Sequence, residues 1–207
     1  MRLLTPLVAL SGLASLAAGF ATPPVEMLGL APRGDAEVDP CGLANSPSVN
    51  ASIQLSSWLE CQVNGFFPYP ANGAWDTVFA RTFHPSLLAT FNDTRYDYAS
   101  WLQAYYSFNE TLGRSFAPFR HGFLNVLAVP NANGDKGGMV YMIGWEGGYQ
   151  PVLKRDLYYT DAAFAVVKDF GGRVGRRIVE FRESSNIPNT APLPEPVPWG
   201  CKFDRRG

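Results

Sequence analysis

The chain is poor in the residue types from which most recognisable sites are built. Two histidines and three cysteines (Cys41, Cys61, Cys201) stand among 207 residues. They are scattered, without the short spacing of a metal-binding loop or a redox pair, so no metal and no cofactor is expected. There is no Gly-x-Ser-x-Gly elbow, no phosphate-cradling loop and no dinucleotide fingerprint. Charge is also sparse. Charged residues make up 17% of the chain and the net charge is −1, with none of the clustered basic surface that nucleic acid requires. Beyond the first 21 residues no apolar run approaches the roughly 20 residues of a membrane span.

What the chain does have is apolar and aromatic bulk. Hydrophobic residues reach 46%, including 14 Phe, 9 Tyr and 5 Trp. That suits one globular domain with a substantial core. The chain opens with Arg2 and an apolar run from Leu3 to Leu16, broken by Thr5, Pro6, Ser11, Gly12 and Ser15. Small residues follow at Ala17, Ala18, Gly19 and Ala21. A basic start, a short apolar run and a small-residue exit predict a signal peptide over residues 1–21, and hence a secreted protein or one of the secretory lumen. Two expectations follow. Sequons at Asn50, Asn92 and Asn109 offer glycosylation sites. An oxidising compartment favours one disulfide with one thiol left over. Cys201 lies in a proline-rich tail that needs an anchor, which favours a bond from Cys201 to Cys61 or Cys41.

Residues 22–51 are rich in Pro and Gly and read as an irregular leader. Arg33-Gly34-Asp35 within it reads as a turn. From Ser52, taken as a cap, Leu55, Trp58, Leu59 and Gln62 recur at helical spacing until Gly65. A second helix is predicted from about Asn72 to Phe83, with His84-Pro85 closing it. A short extended piece, 86–92, precedes a third helix over about 98–112. The period then changes to that of strands, at 116–130, 138–146, 154–169 and 173–183, with a hairpin at 131–138 and a turn at Gly171-Gly172. Residues 185–207 form a proline-rich tail. Helices grouped before strands predict an α+β fold: three helices packed on a strongly curved antiparallel sheet, a cone-shaped α+β barrel over residues 52–184.

That order of elements, the segment Trp75-Asp76-Thr77-Val78-Phe79-Ala80 through Phe83-His84-Pro85, and the ending Gly171-Gly172-Arg173-Val174-Gly175-Arg176-Arg177-Ile178-Val179-Glu180-Phe181 resemble the nuclear transport factor 2-like superfamily, in its SnoaL-like and ketosteroid-isomerase-like branch. The resemblance implies a cone with a deep apolar cavity. The superfamily includes isomerases, dehydratases, polyketide cyclases and non-catalytic binding modules, so fold alone does not choose a function. The secretory start and the Trp199-Gly200-Cys201 tail add a similarity to fungal secreted proteins of secondary-metabolite pathways, some of them dimerising cyclases of maleic anhydride units in maleidride formation.

Strand alternation nominates the cavity wall. If the hairpin carries no bulge, Phe119, His121, Phe123, Asn125 and Leu127 share a face with Met139, Tyr141, Ile143 and Trp145. This bulky, mixed set matches an apolar pocket with a few placed polar groups. The even-numbered set suits a second layer or a homodimer partner across the sheet. His121 is the leading acid–base candidate and Asn125 a carbonyl-polarising one. Tyr141 and Trp145 are candidate substrate-binding donors, and Arg155 a candidate for holding a carboxylate or anhydride oxygen. His84, Asp76, Lys154, Asp156, Arg120 and Arg182 read first as helix-end or surface groups. The function expected is that of a secreted, cofactor-independent cyclase, isomerase or lyase. Its substrate would be a small hydrophobic metabolite, polyketide-derived or an anhydride. The alternative is a non-catalytic secreted binding or effector protein with the same fold.

Overall fold

A computed structural model describes residues 39–69 and 71–186. The expected signal peptide, most of the leader, the proline-rich tail from residue 187 and Cys201 lie outside the described residues. The elements run α1 (Pro40–Leu43), α2 (Ala51–Phe66), α3 (Trp75–Thr82), β1 (Phe83–Phe91), β2 (Thr94–Tyr96), α4 (Tyr98–Ser115), β3 (Phe119–Pro130), β4 (Gly138–Gln150), β5 (Arg155–Asp169) and β6 (Arg176–Ser185). The strands form one curved, unclosed sheet in the order β2-β1-β6-β5-β4-β3. The architecture is α+β as expected, but β1 runs parallel to β6 while the other pairings are antiparallel. The chain reaches β6 only after α4 and a three-strand meander, so it can enter beside β1 in either direction.

Local chemistry sets the helix starts. Asn50, not Ser52, caps α2: its side-chain oxygen accepts the Ile53 amide at 2.9 Å. Ser52 sits inside the helix and donates to the Ala128 carbonyl of β3 at 2.6 Å. α4 opens with a reciprocal Asp97–Ser100 capping box. α3 begins at Trp75 rather than Asn72, because Asn72 spends its side chain on the Gly65 carbonyl and the Ala74 amide. It ends at Thr82, so His84 caps nothing. His84 lies in β1, bonded through Nδ1 to Ser86 and stacked on Phe170 with ring centres 4.6 Å apart.

The disulfide joins Cys41 to Cys61, and this corrects the expected bond to Cys201. Asp39 accepts the Cys41 and Gly42 amides and turns the chain into α1, which brings Cys41 to a Cα–Cα distance of 4.9 Å from Cys61 on α2. Arg176 of β6 secures the same corner. It donates to the Ala44 carbonyl and to Asn45, and its guanidinium lies 5.0 Å from the centre of the Trp58 ring.

The core lies between the helices and the inner face of the sheet. Leu55, Leu59 and Phe66 of α2, Phe79 of α3, and Trp101 and Tyr105 of α4 pack on Phe83, Val140, Ala165, Val167, Ile178 and Phe181. Aromatic rings dominate it, many meeting edge to face, as in Phe66–Tyr105 at 5.7 Å and Trp101–Tyr105 at 5.2 Å.

Candidate functional site

The inner face of the sheet is read from its register. From Ala128 back to Asn125, β3 pairs with β4 so that Val126 opposes Met142 and Asn125 opposes Ile143. A bulge between Phe123 and Asn125 then shifts the count by one residue, so that Phe123 opposes Gly144 and His121 opposes Glu146. On β4 the even residues Val140, Met142 and Glu146 are buried, whereas Met139, Tyr141 and Ile143 are 41–49% exposed. The faces are therefore the reverse of those expected for β4. On β3 the bulge returns His121 and Phe123 to the inner side.

Three rows of side chains cross this inner face. His121, Glu146 and Tyr159 form the first, Phe123, Gly144, Asp161 and Ser185 the second, and Val126, Met142, Ala163 and Glu183 the third. His121, Phe123, Met142, Gly144, Glu146, Asp161 and Glu183 of these rows, with Val63, Phe66 and Phe67 of α2, Tyr105 of α4, Phe181 of β6, Gly122 and Trp145, line a crevice of about 20 Å³. That is room for one or two water molecules, much less than the deep cavity expected. The aromatic side chains fill the cone. Gly144 creates part of what space remains: a Cβ at that position would lie 2.5 Å from Asp161 Oδ1.

Three carboxyl groups line this crevice, and none of its lining residues is Lys or Arg. Glu146 is 5% exposed, and burial, with the neighbouring Asp161 charge, pushes its carboxyl up to about 8. Ser185 Oγ donates to Glu146 Oε1 at 3.3 Å, which partly opposes that rise. Burial pushes Asp161 up to about 6. Its Oδ1 is buried without a hydrogen-bond partner. Glu183 is raised well above the usual carboxylate range, first by burial and then by the charges of Asp161 and Glu146. Tyr105 is raised by its own burial and by all three carboxylates, so its phenol stays protonated. Among the described residues no cluster of His, Cys, Asp and Glu is arranged to hold a metal ion.

His121 stands at the edge of the same crevice. Its Nδ1 lies 2.6 Å from the Tyr69 carbonyl and its Nε2 2.9 Å from Asn64 Oδ1. A carbonyl only accepts, so Nδ1 carries the hydrogen. Burial lowers the His121 pKa, which keeps the ring neutral near pH 7, and Nε2 is then an acceptor suited to the amide NH₂ of Asn64. Tyr69 is itself fixed by donating its phenol to the Asn109 carbonyl at 2.5 Å.

Of the catalytic and substrate-binding residues nominated from sequence, His121 and Trp145 border the crevice and the others do not. Asn125 is exposed at the bulge, and Tyr141 is 49% exposed on the outer face. Trp145 is half-buried, its indole laid over Gly122 and edge-on to Tyr158, and with Gly122 it borders the crevice. Arg155 is exposed at the start of β5, outside the crevice lining. Arg182 is exposed and bonded to Glu180. The sequons at Asn50 and Asn92 are exposed, and Asn109 is half-buried on α4. Glu146, Asp161 and Glu183 were missed. Their signal was parity: each is a carboxylate in phase with the residues that a strand buries, as Asp161 is with Ala163, Ala165 and Val167.

Fold and site together define an α+β cone with a small acidic crevice at its inner face. No family model matches the sequence, and no curated protein matches it. Solved structures similar in shape do exist. One is a nuclear transport factor 2-like superfamily protein from Salmonella enterica serovar Typhimurium, 13% identical, spanning 71% of this chain and 97% of its own, with a TM-score of 0.46. Another, described as a SnoaL-like polyketide cyclase, comes from Jannaschia sp. CCS1 (19% identity, 69% and 90% coverage, TM-score 0.43). A ketosteroid isomerase-like protein from Erwinia carotovora atroseptica is a third (11% identity, 64% and 97% coverage, TM-score 0.40). At such identities the likeness concerns shape, and no residue role is carried over from it.

Proposed function

We propose that this protein is a cofactor-independent acid–base catalyst, an isomerase, cyclase or lyase that moves a proton beside the carbonyl of a small metabolite. The observation that carries this reading is the pair Glu146, buried, and Asp161, half-buried, in adjacent rows of one sheet face and titrating apart at about 8 and about 6. Near pH 7 Asp161 is then the ionised base, and Glu146 is the protonated group that donates to the carbonyl oxygen as charge develops there. Tyr105 offers a second neutral donor. His121, neutral and held through both ring nitrogens by the Tyr69 carbonyl and Asn64, fixes one wall of the crevice. A polyketide-derived carbonyl compound or a neutral anhydride suits such a site, whereas a carboxylate substrate would meet three acids. The Cys41–Cys61 bond is compatible with a secretory location, and the expected signal peptide and the sequons at Asn50, Asn92 and Asn109 support it. None of the described helices is long and apolar enough to cross a membrane.

The test is Asp161→Asn, which keeps the shape and removes the base. Loss of turnover by about 10²–10⁴-fold is expected, with substrate α-deuterium exchange lost alongside. Full turnover in that variant would end the assignment. The small crevice volume gives weight to one other reading, a secreted binding module, which would show saturable ligand binding without product. A homodimer through the sheet fits the outer face, where Met139, Tyr141, Ile143 and Tyr158 are each more than 40% exposed. Tyr141→Lys with Ile143→Lys should then convert a dimer to a monomer in sedimentation; a wild-type monomer would remove that part of the reading.

A further inference from the structure

We propose that the cavity bounded by α1, α2 and the β5–β6 turn is a second binding site, and that it takes a small organic carboxylate. This cavity lies apart from the acidic crevice. Arg176 lines it at the start of β6, whereas Glu183 lines the crevice toward the other end of that strand, about 23 Å further at the usual rise per residue. The second site is therefore independent of the acid–base reading. Three observations lead to it.

First, the cavity is large and has apolar cover. Its volume is about 390 Å³, against about 20 Å³ between the acids. Small-molecule sites run from roughly 300 to 1,000 Å³. The Trp58 ring, Ala44 and the Cys41–Cys61 disulfide, which ties α1 to α2, form one side. Gly171, Gly172 and Gly175 form another, at φ 66°, 53° and 63°. A Cβ at any of the three would meet nothing within 4 Å. The left-handed backbone calls for glycine there, not crowding, and the bare turn leaves that side of the cavity open.

Second, its charge is positive. Lys136 and Arg176 line it, with Asp169 as the one acid among the lining residues. Asp169 is already engaged: Oδ1 accepts the Gly171 amide at 2.9 Å and Oδ2 the Lys136 amide at 3.3 Å. Neither cation is ion-paired to another described residue. Burial pushes the Arg176 guanidinium down to about 10, against the pull of the Asp169 charge. It is still protonated at neutral pH, and a bound anion would offset its desolvation.

Third, the polar groups left over are donors. Arg176 Nη2 donates to the Ala44 carbonyl at 3.0 Å and to Asn45 Oδ1 at 2.9 Å, which leaves the hydrogens of Nε and Nη1. Asn45 has thereby used its oxygen and keeps its NH₂. Gln62 is alike: Oε1 accepts the Thr82 hydroxyl at 2.8 Å and the NH₂ remains. Each side-chain acceptor in the lining thus already holds a hydrogen, while Lys136, Arg176, Asn45 and Gln62 still have hydrogens to give. The ligand that suits such a lining brings negative charge and oxygen acceptors. It also brings a carbon body to lie against Trp58 and the disulfide. A carboxylate on a compact skeleton has all three; inorganic phosphate lacks the body, and an amine lacks the charge and the acceptors.

Calorimetric titration of the full chain at pH 7 with benzoate, benzamide, inorganic phosphate and benzylamine tests this. Benzoate should bind saturably, about tenfold or more tighter than benzamide, which has its shape without its charge. Phosphate should bind more weakly than benzoate, and benzylamine should not displace it. Lys136→Gln alters an exposed loop residue and should weaken benzoate about threefold. Gln62→Glu keeps the acceptor for Thr82 and sets a carboxylate against the ligand's own, so a loss of about tenfold or more is expected. Benzamide binding as tightly as benzoate, phosphate binding as tightly as benzoate, displacement by benzylamine, unchanged affinity in both variants, or no benzoate binding would each overturn the proposal. Failure here is separate from failure of the acid–base reading. Lys136→Gln should leave turnover in the acidic crevice unchanged, and Asp161→Asn should leave benzoate affinity unchanged.

Discussion

Glu146→Gln should make the protein more stable at pH 8 and slightly less stable, by roughly 1–2 kcal/mol, at pH 4. The Glu146 carboxyl titrates at about 8 in the fold against 4.5 when free. The folded state therefore holds a proton that the unfolded state gives up between those values. Stability falls with rising pH wherever the native state binds more protons than the unfolded one. Below about pH 4 both states are protonated and the group costs nothing. Above that, each pH unit removes about 1.4 kcal/mol, until the loss levels off past pH 8. By pH 8 the wild type has lost on the order of 4 kcal/mol at this one side chain. Glutamine has no charge to desolvate, though its buried amide needs hydrogen-bond partners and returns roughly 1–2 kcal/mol of that. A net gain of about 2–3 kcal/mol at pH 8 is expected, read as a higher urea midpoint. Asp161 and Glu183 are raised in the same direction, so the variant keeps a smaller negative slope between pH 5 and 8. Urea unfolding of both proteins at pH 4, 6 and 8 measures this. A variant less stable than wild type at pH 8 would show that Glu146 is ionised and compensated in the fold.

A side chain that costs the fold this much is seldom placed for stability. Groups shifted by burial and by like charges concentrate where chemistry is done, and stabilising replacements there tend to cost activity. Glu146, Asp161 and Glu183 sit on three neighbouring strands, each with an apolar alternative of similar size. Their joint presence on a face whose other residues are mostly apolar or aromatic is the main reason to place the site there.

How much of this the sequence revealed can be traced residue by residue. Helical spacing at Leu55, Trp58 and Leu59 and the change to strand period after Arg114 were strong signals, because packing against one core imposes them along whole elements. The cone followed from helices preceding strands. The parallel β1–β6 pairing did not, since period-2 alternation is the same in either strand direction. The site was less legible. Which face of a strand turns inward depends on register, and one extra residue near Leu124 reverses it. That single bulge brought His121 inside and left Asn125 out, while the real parity of β4 sent Tyr141 to the other side. The carboxylates were overlooked because acidic residues in strands are usually solvated, and only the tertiary register shows that these three converge. The disulfide hinged on Asp39 turning one short helix, a local hydrogen-bond pattern that cysteine spacing does not encode.

Phe66 is where core and site meet, and Phe66→Ala separates their contributions. Its ring is 1% exposed and touches Phe79, Phe83, Tyr105 and Phe181, with ring centres 4.9–6.4 Å away. Truncating so buried a ring costs about 3–5 kcal/mol through lost transfer energy and the void left behind. The void would not be isolated, because Phe66 also forms part of the crevice wall. It would open onto Glu146 and Asp161, and a space lined by carboxyl groups fills with water. Water there weakens the desolvation that raises Glu146, the largest cause of its shift, so the carboxyl should titrate closer to its ordinary value. The variant is thus expected to lose stability at every pH but to lose less of it between pH 5 and 8 than the wild type does. Phe83→Ala is the matched control: Phe83 is fully buried in the same aromatic cluster, and it does not line the crevice. Its loss should be of similar size with the pH slope intact. Urea midpoints for the two variants at pH 5 and pH 8 decide the matter. Parallel pH slopes in both would mean that Phe66 does not shield the acids, and that their proton affinity is set by the sheet alone.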